Sequence, residues 1–191
     1  MELRVVEQPV TEETMRAYQR ISIAFTVSSR FRVTLIDAGL GGFKLSEEPV
    51  DPPWVKDYDD DDSPMSWFKW WDLSNWRLFS ALDGDTAVGG AVVALHTPGM
   101  WFLRRRDDLA ALWNLRVDPS YRGQGVGRVL FNAAADWARA QGCRQLKIET
   151  QDINVVACRF YAAMGARLGA IDRFAYANLP DETELDWFME L

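Results

Sequence analysis

Between Val117 and Phe131 the chain reads VDPSYRGQGVGRVLF: a strand-like apolar end, a proline, an arginine, then glycines at every second position before a helical pattern. Backbone stripped of side chains at a helix N-terminus presents bare N–H groups at the positive end of the macrodipole. Glycine there lets a phosphate approach the main chain. The chemistry on offer is therefore a grip on an anion. A dinucleotide turn is a rival reading, because a strand, a glycine turn, a helix and a second strand carrying Glu149 mimic its arrangement. Against it, the glycines run G-x-G-x-G with Arg128 where the third glycine or alanine should stand. DPSYR also separates the strand from Gly123, whereas a dinucleotide turn follows its strand directly. A P-loop is excluded by the missing Gly-Lys-Ser/Thr. The bland alternative is a glycine-rich connection that holds nothing.

Other residue types offer less. Cys143 and Cys158 lack C-x-x-C or C…H spacing, and the lone His96 ends the apolar run VGGAVVAL, so a zinc site or disulfide framework is not expected. The run DYDDDD has neither the glycine nor the distal glutamate of a calcium loop and reads as a solvated acidic loop, with attraction of a polycation as the sharper alternative. The tryptophans Trp67, Trp70, Trp71 and Trp76 in MSWFKWWDLSNW read as packing or an oligomer face, with cation–π contact to an amine as the alternative.

The elements that must carry these residues follow from periodicity and caps. Residues 3–6 suggest a short strand, and Thr11 caps a helix through TEETMRAYQRIS. FRVTLI (31–36) alternates as a strand should. A loop or hairpin insertion is expected over about 37–75, inside a single domain spanning 1–191, because patterned segments resume at once. WRLFSAL (76–82), the turn DGD and AVGGAVVAL (87–95) read as an antiparallel hairpin, and ALWNLRV (111–117) as another strand. Val126, Val129, Leu130, Ala133, Ala134 and Trp137 form a helical stripe that Gly142 stops. QLKIET (145–150) is a strand, and Asn154 caps a helix with Val156, Phe160 and Met164 inward, ending at Gly165. RLGAIDRFAYA and ELDWFMEL supply the last strands. The order implies an α/β fold with a mixed sheet.

At this point the residues carry a resemblance. RGQGVG resembles the acyl-CoA pyrophosphate motif of the GCN5-related N-acetyltransferases (GNAT), Arg/Gln-x-x-Gly-x-Gly/Ala, met by Arg122, Gly125 and Gly127. The strand LKIET and the helix NVVACRFYAAMGA follow in that family's order. Within it, ALWNLRV, ETQDINVVACRFYAAMGARLGAIDRFAYA and the upstream FRVTLIDAGLGGFKLSEEPVDPP are similar to the streptothricin (nourseothricin-type) acetyltransferases. Most of the chain is covered, excepting the acidic loop and the tryptophan cluster.

The resemblance implies a GNAT fold, a central, mostly antiparallel sheet flanked by helices and splayed between its fourth and fifth strands near Val117. It implies acetyl-CoA as co-substrate, no metal, and direct attack by a primary amine of a cationic small molecule, plausibly the β-lysine amine of streptothricin. Such an amine, with a pKa of ~10.4, must lose a proton before attack. The implied cofactor contacts are Leu115, Arg116, Val117, Arg122, Gly123, Gln124, Gly125, Val126, Gly127, Arg128, Asn154 and Tyr161, with a backbone N–H near Val117 as oxyanion donor. Tyr161 is implied as the acid that protonates the departing thiolate, and its bland reading is a core tyrosine beside Phe160. Glu149 resembles the base of some ribosomal-protein acetyltransferases, and its bland reading is a structural glutamate. On the acceptor side stand Trp113, Asn114, Glu149 and Asp152. There the chain departs from the pattern, since the streptothricin enzymes carry Glu-Asp where Trp113 and Asn114 stand. An asparagine cannot take the amine's proton, so Glu149, Asp152 or a water chain does so, or the acceptor differs. Transfer to another polyamine or to a protein amine, and a non-catalytic acyl-CoA-binding module, stay open.

Bulk properties bound the rest. The chain has 191 residues, 48% hydrophobic, enough for a sizeable core. A net charge of −7 argues against a grip on nucleic acid and suits a cationic small substrate. No apolar run reaches the ~20 residues of a membrane span, and the acidic N-terminus does not read as a signal peptide. A soluble, cytoplasmic protein is expected, with no membrane or nucleic-acid partner, and the resemblance leaves room for a homodimer.

Overall fold

The structure, a computed structural model, describes residues 3–60 and 62–191. In chain order the elements are β1 (Leu3–Pro9), α1 (Glu12–Tyr18), β2 (Phe25–Leu35), β3 (Phe43–Lys56), α2 (Trp67–Trp70), β4 (Arg77–Asp83), β5 (Thr86–Ala94), β6 (Leu109–Val117), α3 (Val126–Ala140), β7 (Gln145–Gln151), α4 (Val155–Ala163), β8 (Arg167–Asp172) and β9 (Glu184–Glu190). They form two compact units. The first takes the chain as far as Ala24, then Asp57–Ile148 and Met189–Leu191; the second takes Phe25–Lys56 and Glu149–Phe188.

In the first unit β1, β4, β5 and β6 pair antiparallel in that order, and β7 joins β6 in parallel. This is the mixed, mostly antiparallel sheet the sequence implies. α1 begins where Thr11 and Thr14 exchange side-chain and backbone hydrogen bonds in a capping box. β5 carries adjacent glycines for a packing reason. A Cβ on Gly89 would stand 3.0 Å from Leu130 and Val126 of α3, and one on Gly90 would stand 2.6 Å from the Tyr18 ring of α1. The glycine pair therefore lets one helix close on each face of the strand. α3 buries Val126, Leu130, Phe131, Ala134, Ala135 and Ala138. The stripe read from the sequence is off by about one position, and Val129 is exposed. Each large apolar side chain sealed in this core contributes roughly 1.5–3 kcal/mol.

A bulge decides the geometry of β6. Val92 pairs with Asn114 and Val93 with Leu112, so Trp113 is the extra residue. The β6–β7 ladder runs from Leu109–Gln145 to Leu112–Ile148 and ends there. The parallel pairing thus stops at the bulge, several residues before Val117, near which the resemblance puts the splay.

The second unit contains the long hairpin β2–β3, the antiparallel pair β8–β9 and α4. The segment 37–75 is more structured than a loop: it holds β3, the return arm of that hairpin, and then α2. The strand expected over RLGAIDRFAYA stops at Asp172. α4 starts as expected, with Asn154 Oδ1 accepting the Ala157 N–H at 3.1 Å. Its inward face is not the expected one. Val155, Cys158 and Tyr161 are buried and Val156 is exposed. The sequence VVACRFYAAM is apolar nearly all round, so periodicity does not choose a face. Arg159 does: it pairs with Glu47 on β3 and turns its own side of the helix outward.

Among the described residues no helix is long and apolar enough to cross a membrane.

Candidate active site

The loop expected to cradle an anion lies in the first unit, between β6 and α3. Asp118 ends β6 by donating its N–H to Val88 O and accepts the Ser120 N–H at 2.9 Å, which folds Pro119–Tyr121 into one tight turn. Arg122 then donates from Nε to Val117 O at 3.0 Å and from a terminal nitrogen to Ser22 O at 3.2 Å. Gln124 donates back to Ser120 O at 2.8 Å. Gly123 and Gly125 sit at φ +75° and +89°, in the left-handed region, and a Cβ on either would meet nothing within 4 Å. Gly125 is the N-cap of α3 and offers no side-chain acceptor, so the N–H groups that open the helix, on Val126, Gly127 and Arg128, have no side-chain cap. A 15-residue helix with an uncapped, side-chain-free mouth fits a phosphate-bearing ligand.

Next to it on β6 is a buried polar knot. The Tyr18 hydroxyl donates to Asn114 Oδ1 at 2.6 Å, and Arg116 Nε donates to the same oxygen at 3.0 Å. The remaining Arg116 nitrogens form a fork to Asp59, at 2.8 and 3.0 Å, and one also donates to Ile21 O. The guanidinium lies 4.7 Å from the Tyr18 ring centroid. Burial pushes the Tyr18 phenol well above its ordinary value, with Arg116 opposing, so it remains a hydrogen-bond donor. Two expectations change here. The acidic run is not simply solvated, since Asp59 is the counter-charge of a fully buried arginine and Asp62 accepts from Ser66 and from Trp67 Nε1. The Arg116 side chain is committed to this knot, which leaves only its backbone for a ligand on β6.

Trp113, the bulge residue, packs 5.7 Å from Trp76, 6.3 Å from Trp67 and 5.8 Å from Phe102, ring centroid to centroid. Trp67 and Trp76 are almost wholly buried, and Trp76 Nε1 donates to Thr97. These two tryptophans are therefore packing, while Trp70 is exposed. Leu115 and Val117 are half-buried on β6.

The second unit holds the other predicted residues. Glu149, on β7, accepts the Tyr176 hydroxyl at 2.6 Å on Oε1, and Gln151 Nε2 lies 3.4 Å from the same oxygen. Gln151 Nε2 also donates to the Tyr176 oxygen at 2.9 Å. Asp152 is buried with both oxygens engaged: Arg30 donates to Oδ2 from two nitrogens, and the Thr183 N–H donates to Oδ1 at 2.9 Å. The predicted proton acceptor Asp152 is thus drawn into tying β2 and the β9 approach to the end of β7. Tyr161 is buried on α4, edge-on to Phe160 at 5.3 Å. Burial pushes the neighbouring Cys158 thiol up to about 12, so it stays protonated. A cavity of about 630 Å³ in this unit is lined by Arg30, Arg32, Glu48, Arg173, Phe174 and Tyr176 among others.

Sequence reasoning does not find Tyr18, Asp59, Arg30 or Tyr176. Only Tyr18 leaves a signal, the Gly89–Gly90 pair that a strand would not carry without a close approach.

The model of the Acetyltransferase (GNAT) family matches residues 45–166. A streptothricin acetyltransferase of Escherichia coli is 33% identical over 98% of this chain and 95% of its own length. The crystal structure of nourseothricin acetyltransferase superposes with a TM-score of 0.76 at 28% identity, covering 98% of both chains. A Bacillus anthracis acetyltransferase solved in complex with acetyl coenzyme A gives the same TM-score at 23% identity over the whole of both chains, a likeness of fold.

Proposed function

We propose, from the premise that this chain belongs to the Acetyltransferase (GNAT) family, that it moves acetyl from acetyl-CoA to a primary amine of a streptothricin-type antibiotic. The observation that carries the acceptor is the end-to-end match, 98% of the chain, to a streptothricin acetyltransferase. The co-substrate reading rests on the uncapped mouth of α3 and the open, left-handed Gly123 and Gly125.

Acetyl-CoA supplies an activated thioester, and the chain's own residues do the rest. The N–H groups of Gly123, Gly125, Val126, Gly127 and Arg128 hold the pyrophosphate, while Arg122 keeps the loop in shape through Val117 O and Ser22 O. Beyond Leu112, where the β6–β7 ladder ends, the β6 backbone receives the pantetheine arm at Leu115 and Arg116. An N–H near Val117 meets the charge that develops on the carbonyl oxygen. Glu149 takes the proton that the acceptor ammonium must lose, and Tyr161 gives one to the departing thiolate. Asn154 caps α4 and so orients the helix that carries Tyr161. Asn114, its carbonyl oxygen taken up by Tyr18 and Arg116, is a neutral side chain beside Trp113 on β6. Asp152 acts as a strut. The two buried, free thiols suit a reducing cytoplasm.

The test is release of CoA thiol from acetyl-CoA by the purified chain, with streptothricin set against spermidine, lysine and an aminoglycoside. Selective, fast release with streptothricin is expected, and Tyr161→Phe should lower kcat by about a hundredfold while CoA still binds. Tight CoA binding with no release for any amine would remove the acceptor assignment and leave an acyl-CoA-binding module.

A further inference from the structure

We propose that Tyr176 is a positioning residue for Glu149: it holds the carboxylate aimed for removal of the acceptor's proton. The proposal rests on the reading of Glu149 as the base. It starts from a contact that no motif announces. The Tyr176 hydroxyl donates to Glu149 Oε1 at 2.6 Å, a short, charge-assisted bond, and accepts from Gln151 Nε2 at 2.9 Å. Gln151 stands two residues after Glu149, so both side chains leave the same face of β7. With its oxygen occupied by the Gln151 donor, the Tyr176 hydroxyl proton is directed to the carboxylate. A closed triangle of this kind fixes the rotamer of a side chain that is otherwise long and mobile. Tyr176 also lines the 630 Å³ cavity, whereas Glu149 does not. The tyrosine therefore stands at the wall between that space and the base.

Burial, reinforced by the Glu149 charge, pushes the Tyr176 phenol far above its ordinary value, so it donates at every working pH. Glu184 on β9 also acts on Tyr176, while Lys147, two residues before Glu149 on β7, lies against the Phe102 and Trp101 rings. Arg30 and Asp152 close on each other. In the reaction the proton passes from the acceptor's ammonium nitrogen to a Glu149 carboxylate oxygen. The nitrogen keeps the electron pair for attack on the acyl carbon, and Tyr176 retains its own proton. A donor to the charged form favours that form; without it the protonated acid persists to higher pH. The sign is thus set: loss of the hydroxyl moves the acid limb of the kcat/KM profile upward.

The experiment measures pH profiles of kcat and kcat/KM for Tyr176→Phe, Gln151→Ala and Glu149→Gln, with streptothricin and acetyl-CoA. Tyr176→Phe should lower kcat about tenfold near neutral pH, move the acid limb to higher pH, recover partly in alkali and leave KM for acetyl-CoA unchanged. Gln151→Ala should shift the limb in the same direction by less, which keeps the test alive if the phenylalanine variant folds poorly. Wild-type profiles for both, with Glu149→Gln inactive, would overturn the role of Tyr176 and leave Glu149 standing. A fully active Glu149→Gln would overturn the base assignment itself, and Tyr176 with it.

Discussion

β6, in the first unit, and the C-terminal end of β7, in the second, present the same small device with opposite charge. On β6, Asn114 accepts a tyrosine hydroxyl, from Tyr18, at 2.6 Å and a second donor from the residue two places on, Arg116. On β7, Glu149 accepts a tyrosine hydroxyl, from Tyr176, at 2.6 Å, with Gln151, again two places on, as the second donor. In the first the acceptor is neutral and the helper carries the charge, which forces a counter-ion: Asp59 closes on the buried guanidinium. In the second the acceptor carries the charge and its donors from Tyr176 and Gln151 are neutral. A cation balanced by an acid inside a core is structural, because moving a proton there would leave an uncompensated charge. A carboxylate steadied by neutral donors can still change its protonation state. The proposed base role of Glu149 falls on the second device.

That contrast can be broken at Asp59. Asp59→Ala leaves Arg116 buried without its acid, and stability should fall by about 3 kcal/mol in denaturant unfolding. A loss of less than about 1 kcal/mol would mean that water reaches the guanidinium and the knot is not structural. Asn114→Asp sharpens the contrast by making β6 resemble β7. The new carboxylate would sit between Tyr18 and Arg116, so stability at neutral pH should change by about 1 kcal/mol or less. Both partners depress its folded pKa, so its contribution is present above the unfolded value of ~3.9 and is lost as the pH falls. Loss of stability as large as that of Asp59→Ala would show that a neutral acceptor is required. The smallest effect concerns Cys158. Its folded pKa is raised from 9.0 to about 12, so its stabilising share is complete below 9.0 and is lost as the pH rises through that window. Cys158→Ala should flatten stability between pH 9.0 and about 12 relative to the parent, and neither thiol of the folded chain should react with a disulfide reagent near neutral pH. Rapid labelling of Cys158 would sink this.

Much of the fold is readable from neighbours. Thr11 and Asn154 cap their helices, Gly142 ends α3 in the left-handed conformation, and RGQGVG forms the bare helix mouth its spacing predicts. Each involves groups within a few residues of one another, so the side chain and the backbone it satisfies travel together in the chain. The face of α4 is not readable, because a helix apolar on most sides carries no preferred stripe. The bulge at Trp113 is not readable either, since an extra residue on β6 declares itself only against β5.

The clearest division runs through the polar contacts. Composition and local pattern settle the mixed α/β class, the bare mouth of α3 and the helix that carries Tyr161. Tertiary structure alone decides that Asp59 serves Arg116 across 57 residues, that Tyr176 reaches Glu149 across 27, and that Arg30 reaches Asp152 across 122. A buried polar group must find a partner, but nothing in its own stretch of sequence says which one. Strand register and loop path choose the partner, and both are set by the packing of the whole unit.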